Sequence, residues 1–153
     1  MCWIDSRLAD LRVFAKDARE LQARHRQISQ EAENIYNALW KECLTVLDEL
    51  KQKGQNNFTN GSPLHRTIRR SARITQGITI IPAEGHPGHE IQIYLSADRQ
   101  SIIVSGEISR RFILDLGDDA VVCLKSDGVA ICLRDAAILV LDRFFFPELH
   151  PTI

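Results

Sequence analysis

The sequence of 153 residues lacks the short motifs that would assign a function directly. It contains no G-x-S-x-G nucleophile elbow, no G-x-x-x-x-G-K phosphate loop and no G-x-G-x-x-G dinucleotide fingerprint. The four cysteines include no C-x-x-C pair, so they indicate neither a zinc cage nor a disulfide framework. We therefore expect no cofactor and favour a protein without catalytic activity. An enzyme whose site is built from residues far apart in the chain would leave no such motif and stays an alternative.

Long apolar segments are also missing. The longest uninterrupted apolar run, Ala136 to Leu141, is much shorter than the ~20 residues of a membrane-spanning helix. The first residues, Met-Cys-Trp-Ile-Asp, lack the basic segment and the apolar run of a secretory signal. The sequence therefore predicts a cytoplasmic protein with no membrane association.

Composition and charge are those of an ordinary globular protein. Apolar residues make up 44% of the chain and charged residues 25%, which is enough to build a core. The formal net charge is −1, but the residues up to Arg73 carry 13 Lys and Arg against 9 Asp and Glu, and the remainder carry 6 against 11. This overall balance argues against a protein that binds nucleic acid with its whole surface.

Glycine and proline are absent from Asp5 to Lys53, which indicates one long helical segment. Asp5 or Ser6 can cap its start. Apolar residues in this segment recur every seven positions, with a second row three positions further on, and we call this stripe the seam. The seam consists of Ile4, Leu11, Ala18, His25, Ala32, Leu39 and Val46, joined by Phe14, Leu21, Ile28 and Ile35. The repeat predicts self-association through Leu11, Phe14, Leu21, Ile28, Ile35 and Leu39.

The length of this helix leaves two arrangements. At 1.5 Å per residue the segment would extend for roughly 73 Å, whereas a domain of this size is only about 40 Å across. The helix must therefore find a partner or fold back as a hairpin, with a break in the polar region between Arg24 and Ser29. Since the seam continues through that region without Gly or Pro, we favour a continuous helix in a homodimer.

Residues 54–73 form a predicted linker. Gly54 can adopt the positive φ angle that ends many helices, and mostly polar residues follow it. A stripe of arginines at spacings of three and four comes next: Arg66, Arg69, Arg70 and Arg73. On a helix these guanidinium groups would share one face, which predicts phosphate or nucleic-acid binding as an alternative function, although no aromatic residue is interleaved to stack bases.

After Arg73 the apolar period changes to the two-residue alternation of half-buried strands. The alternating segments are Ile78–Pro82, Ile91–Ser96, Ile102–Ser105, Phe112–Leu116, Val121–Lys125 and Val129–Leu133. Short polar connections between them favour an antiparallel meander.

The last two strands flank Asp127-Gly128, a dipeptide suited to a type I′ turn. This turn places Cys123 opposite Cys132, so the two thiols are a candidate redox pair. A reducing compartment favours two free, buried thiols instead.

One loop has the density of donors that a metal site needs. Two imidazoles and two carboxylates fall within seven residues: Glu84, His86, His89 and Glu90. Zinc or nickel accepts such donors, but the Pro-Gly pair inside the loop indicates a wide strand connection. We expect a surface loop, with a metal or catalytic site as the alternative.

The sequence thus predicts an α+β fold with a helical segment over 1–53, the linker over 54–73, and a sheet unit over 74–153. In that last unit a meander of about six antiparallel strands precedes a short apolar helix, Ala136–Phe146, capped by Asp135. The predicted function is a non-enzymatic protein-interaction module that forms a homodimer through its long helix. Alternatives are phosphate or nucleic-acid binding by the arginine stripe, and small-molecule binding or catalysis in a pocket between sheet and helices.

Overall fold

A computed structural model describes residues 2–54, 58–59, 67–68, 74–81 and 88–150. The architecture is α+β, as predicted, with a long amino-terminal helix, an antiparallel sheet and a short carboxy-terminal helix. Within the described residues, neither α-helix is both long and apolar enough to cross a membrane.

The first helix, α1, extends without interruption over 50 residues, Trp3–Gln52. The continuous helix is therefore confirmed, and the alternative break in the region Arg24–Ser29 is wrong. The predicted cap is also wrong, because α1 begins before Asp5, with Cys2 at the N-cap position and no side-chain cap. Asp5 lies in the first turn, where its carboxylate still complements the helix dipole. Gly54 follows the helix with a φ angle of +105°, as its helix-ending role requires.

Across the described ranges the sheet has eight strands, and the six longer ones form the predicted meander. The strands are β1 (Phe58–Thr59), β2 (Thr67–Ile68), β3 (Ile74–Ile80), β4 (His89–Leu95), β5 (Ser101–Gly106), β6 (Arg110–Leu116), β7 (Val122–Ser126) and β8 (Val129–Ile131). From β3 to β8 each strand pairs antiparallel with the next one in sequence.

Two parts of the sheet differ from the prediction. Strands β1 and β2 lie in the predicted linker, and both pair with β3; two-residue strands are too short for alternation to reveal. Strand β3 begins four residues earlier than predicted, because Thr75 and Gln76 are buried despite being polar and so hide the alternation.

The hairpin of β7 and β8 has the predicted register, with Ser126 opposite Val129. Asp127 and Gly128 have φ angles of 52° and 81°, which are the positive values that a type I′ turn needs. The turn chemistry of this dipeptide therefore fixes the hairpin.

The second helix, α2, comprises Leu133–Phe145 and begins earlier than predicted. Cys132 is its N-cap residue, and the Sγ atom of Cys132 accepts a hydrogen bond from the backbone N–H of Asp135 at 3.4 Å. The prediction that Asp135 caps this helix is therefore wrong. Because Cys132 caps α2, strand pairing ends at Ile131 and does not extend to the Cys123–Cys132 pair.

One apolar cluster holds both helices and the sheet together. Strands β4, β5 and β6 contribute mainly alternate residues, β3 buries a consecutive run, and α2 packs against α1. The buried residues of α1 are Ile28, Ala32, Tyr36, Leu39, Trp40, Cys43 and Leu47. All of them lie in the second half of the helix, so the first half extends beyond the core.

Candidate functional site

The first half of α1 projects from the rest of the protein. Arg24 is the first α1 side chain, among the described residues, that bonds to the sheet, and Ile28 is the first that is buried. We call residues 3–23 the overhang and the remaining described residues the body. At 1.5 Å per residue the overhang is about 31 Å long.

Large apolar side chains lie exposed along the overhang. Phe14 is 73% exposed, Trp3 71% and Leu11 61%. The others are Ile4, Leu8 and Leu21, while Val13 is also exposed but points away from this row. Isolated exposed apolar residues are common on protein surfaces, but a contiguous row of them along one helix indicates an interaction site.

The charges of the overhang are balanced and interspersed. Four basic and four acidic residues lie between positions 3 and 23: Asp5, Arg7, Asp10, Arg12, Lys16, Asp17, Arg19 and Glu20. Two pairs lie at helical spacing, Arg7 with Asp10 at 3.8 Å and Lys16 with Glu20 at 3.9 Å, and both are solvent-exposed. Such a surface suits a partner of mixed charge better than a polyanion.

A set of polar contacts fixes the overhang where it leaves the body. The Arg24 guanidinium donates to the Asp115 carboxylate and, at 3.3 Å, to the Leu116 carbonyl oxygen. Lys125 Nζ lies 2.8 Å from the other Asp115 oxygen. The hydrogen bonds from Lys125 and Arg24 hold the pKa of Asp115 well below its usual range. Strand β6 thereby binds the helix at this junction, and Lys125 on β7 holds the Asp115 carboxylate that Arg24 contacts.

The next turns of α1 are held by the loops at the same end of the sheet. Gln27 Nε2 donates to the Ala120 carbonyl oxygen at 2.9 Å. Gln100 Nε2 lies 3.1 Å from the His25 carbonyl oxygen and 3.2 Å from Ser29 Oγ. These contacts, together with the buried core beyond them, set the direction in which the overhang points.

Two open clefts border the junction. The first, which we call the notch, is about 420 Å³ and is lined by Asp17, Glu20, Leu21, Arg24 and Leu116. The second is about 400 Å³ and lies between α1 and the end of the sheet, with His25, Asp98 and Arg111 among its lining residues. The second cleft carries basic and acidic groups together, so it can hold a small polar ligand but presents no single-sign surface.

The structure divides the six residues predicted for self-association. Leu11, Phe14 and Leu21 lie exposed on the overhang. Ile28 and Leu39 are buried at 2% and 0% exposure, and Ile35 is half-buried beside them. One apolar stripe therefore packs on the protein's own sheet over its second half and lies open to solvent over its first half.

The predicted metal loop is only partly described. Glu84 and His86 lie outside the described residues, while His89 and Glu90 lie exposed on β4. His89 Nδ1 is 3.4 Å from Oε1 of Glu107, which lies in the connection between β5 and β6. In the described ranges no group of three or more His, Cys, Asp or Glu side chains is placed to hold a metal ion.

The arginine stripe lies wholly outside the described residues, since the structure describes none of Arg66, Arg69, Arg70 and Arg73. It stays a prediction.

The two candidate redox cysteines do not have the burial that the sequence suggested. Cys132 is exposed at the start of α2, and Cys123 on β7 is half-buried. Cys43, by contrast, lies in the core, and burial raises the pKa of its thiol to about 12.

Sequence reasoning missed the junction. Arg24 and Asp115 are separated by 91 residues, and neither stands in a motif. No local signal could have paired them, because the contact exists only once the meander places the end of β6 beside α1.

Comparisons with known protein families, with curated proteins and with solved structures found no match.

Proposed function

We propose that this protein is a non-enzymatic interaction module that forms a homodimer through the overhang. The observation that supports this proposal is the row of exposed apolar side chains along a helix whose direction is fixed by the body. Helices in proteins draw most of their stability from the packing of an apolar face, so the overhang is stabilised when another surface covers that face.

A second copy of the same chain suits this surface because the overhang is complementary to itself. It carries equal numbers of acidic and basic residues beside the apolar row, so two copies meet without a net repulsion. Two-fold pairing of identical surfaces is the commonest form of oligomer.

The size of the surface also fits a dimer. Fully burying one Leu, Ile or Phe side chain removes on the order of 100 Å² of apolar surface. Each copy contributes Ile4, Leu8, Leu11, Phe14 and Leu21. With Trp3 and the stems of the neighbouring charged residues, the contact reaches roughly 1,000 Å², the lower bound for a specific interface.

The test compares two neighbouring substitutions that introduce the same charge. Phe14 belongs to the seam and is 73% exposed, whereas Val13 is 60% exposed but points about 100° away around the helix. Sedimentation between about 1 and 100 μM should show a dimer for the wild type and for Val13→Asp, and a monomer for Phe14→Asp. Both variants should keep the wild-type melting temperature of the body.

Two results would refute the proposal. One is a wild type that stays monomeric over the whole concentration range. The other is a Phe14→Asp variant that dimerises as strongly as Val13→Asp, since the interface would then lie elsewhere.

A further inference from the structure

We infer that the two copies pair antiparallel over their overhangs, and that the partner's Trp3 occupies the notch beside Arg24. This inference rests on the proposed function and adds the orientation of the dimer and a site that is complete only when the second copy is present.

The first argument is steric. The seam drifts by only about 20° per heptad around a straight helix, so the stripe that is open at Leu21 is nearly the same stripe that the sheet covers at Ile28. A partner helix that lay parallel on the overhang would continue past Arg24 into the space that the sheet occupies. An antiparallel partner helix begins at that end, with its own Trp3, and therefore stops where the sheet starts.

The second argument is the register. When the full overhangs overlap antiparallel, Ile4 faces the partner's Leu21 and Leu11 faces the partner's Phe14, so the large apolar residues meet each other. In the same register Arg7 faces the partner's Ala18, whose small side chain leaves room for the guanidinium group to reach solvent. A parallel pair would instead place Arg7 against the partner's Arg7 within the seam, where two like charges repel.

The third argument concerns the notch. It is lined by one edge of the overhang and by Leu116 at the end of β6, and in the antiparallel register this is the place that the partner's Trp3 reaches. Arg24 is held there by Asp115 and the Leu116 carbonyl, so its guanidinium is positioned to stack on an indole ring. Asp17 and Glu20 offer carboxylate oxygens to the indole N–H, which is only a donor.

Disulfide trapping tests the orientation in the full-length chain. The background carries Cys2→Ser, Cys123→Ser and Cys132→Ser, which remove the accessible thiols, and serine is itself a good N-cap at position 132. One tagged copy carries Ile4→Cys and an untagged copy carries Leu21→Cys. Upon mild oxidation of the mixture we expect the mixed disulfide between position 4 and position 21, and no disulfide from Ile4→Cys alone.

The control outcomes separate this inference from the proposed function. A dimer that forms the 4–4 disulfide, or a dimer that forms no 4–21 disulfide, would overturn the antiparallel orientation and leave self-association intact. A background protein that is monomeric by sedimentation would overturn both.

A double-mutant cycle tests the notch itself. Within one copy, Trp3 lies about 31 Å along the helix from Arg24, and Leu116 lies beside Arg24. The side chains of Trp3 and Leu116 can therefore interact only between copies. We expect Trp3→Ala and Leu116→Ala each to raise the dimer dissociation constant by about tenfold, and the double variant to raise it by much less than a hundredfold. Trp3→Phe should retain most of the affinity. If the two alanine substitutions raised the dissociation constant by factors that simply multiplied in the double variant, the partner's Trp3 would not occupy the notch.

Discussion

The guanidinium of Arg24 binds the carboxylate of Asp115 across 91 residues of sequence. The same carboxylate also accepts from Lys125, 2.8 Å away on the neighbouring strand. Within the part of the chain that the structure describes, this three-residue contact is the outermost polar attachment of α1 to the sheet, so it helps to set the direction of the overhang.

We predict that Asp115→Asn weakens folding and removes part of its acid sensitivity. The pKa of Asp115 is lowered in the folded protein by its hydrogen bonds to Lys125 and Arg24, below the value near 3.9 of an unfolded Asp. The ionised carboxylate therefore stabilises the fold above about pH 4, and this contribution is lost as the pH falls through the folded pKa. Because the pair is partly exposed, we expect Asp115→Asn to lower the free energy of unfolding by about 1 kcal/mol at neutral pH. Urea denaturation at pH 7 and pH 3 provides the measurement.

The matched control is Asp127→Asn in the type I′ turn, where asparagine tolerates the positive φ angle. It should leave stability at pH 7 unchanged. Equal slopes of stability against pH in the wild type and in Asp115→Asn would contradict the assigned role of Asp115. Some acid sensitivity should remain in that variant, because the hydrogen bond from Ser96 also lowers the pKa of Asp98.

A second prediction contrasts two residues that occupy the same row of the seam. Leu21 is 53% exposed, whereas Ile28 is 2% exposed in the core. Leu21→Asp should therefore dissociate the dimer and leave the melting temperature of the body unchanged. Ile28→Asp should unfold the protein or lower its stability by several kcal/mol, on the order of 3, since it buries an unpaired charge.

Circular dichroism and sedimentation of the two variants provide the measurement. If Ile28→Asp stayed folded and merely dissociated, α1 would not be docked on the sheet at this position. If Leu21→Asp melted at a much lower temperature, the overhang would belong to the folded core.

A third prediction concerns thiol reactivity. Burial raises the pKa of Cys43 to about 12, and only a thiolate reacts readily with alkylating reagents. In the native protein at pH 7.5 we expect iodoacetamide to modify Cys2 and Cys132, which are exposed, and to leave Cys43 unmodified until denaturant is added. Peptide mapping by mass spectrometry gives the order, and modification of Cys43 at the rate of Cys2 would contradict the packing of α1 on the sheet.

Most of the fold followed from local signals. The absence of Gly and Pro up to Lys53 predicted α1, and Asp127-Gly128 predicted the last hairpin in its correct register. Local signals failed where an unusual residue type was used: a thiol at the cap of α2, and the buried polar pair Thr75 and Gln76 in β3. In β3 tertiary packing overrode the preference of the residues, whereas at Cys132 a local hydrogen bond to the Asp135 N–H makes the cap.

The candidate site was predictable only in part. The heptad pattern revealed the apolar seam, but Leu21 and Ile28 are equivalent in that pattern. Which of the two residues is exposed depends on how far the sheet extends along α1. That extent is set by contacts such as the one between Gln27 and Ala120, which no sequence spacing encodes. The notch likewise exists only because Leu116 comes to lie beside the helix.

The order of the chain has a consequence for synthesis. The residues of α1 that pack on the sheet leave the ribosome well before the strands that cover them, of which β6 and β7 come last. At a synthesis rate of roughly 5–20 residues per second, the apolar face of the nascent helix stays uncovered along its whole length for several seconds. During that time the half destined for the core and the half that stays open are chemically alike, and neighbouring polysome chains can join through either. The inner half is withdrawn from such encounters once the last strands and then α2 arrive to cover it.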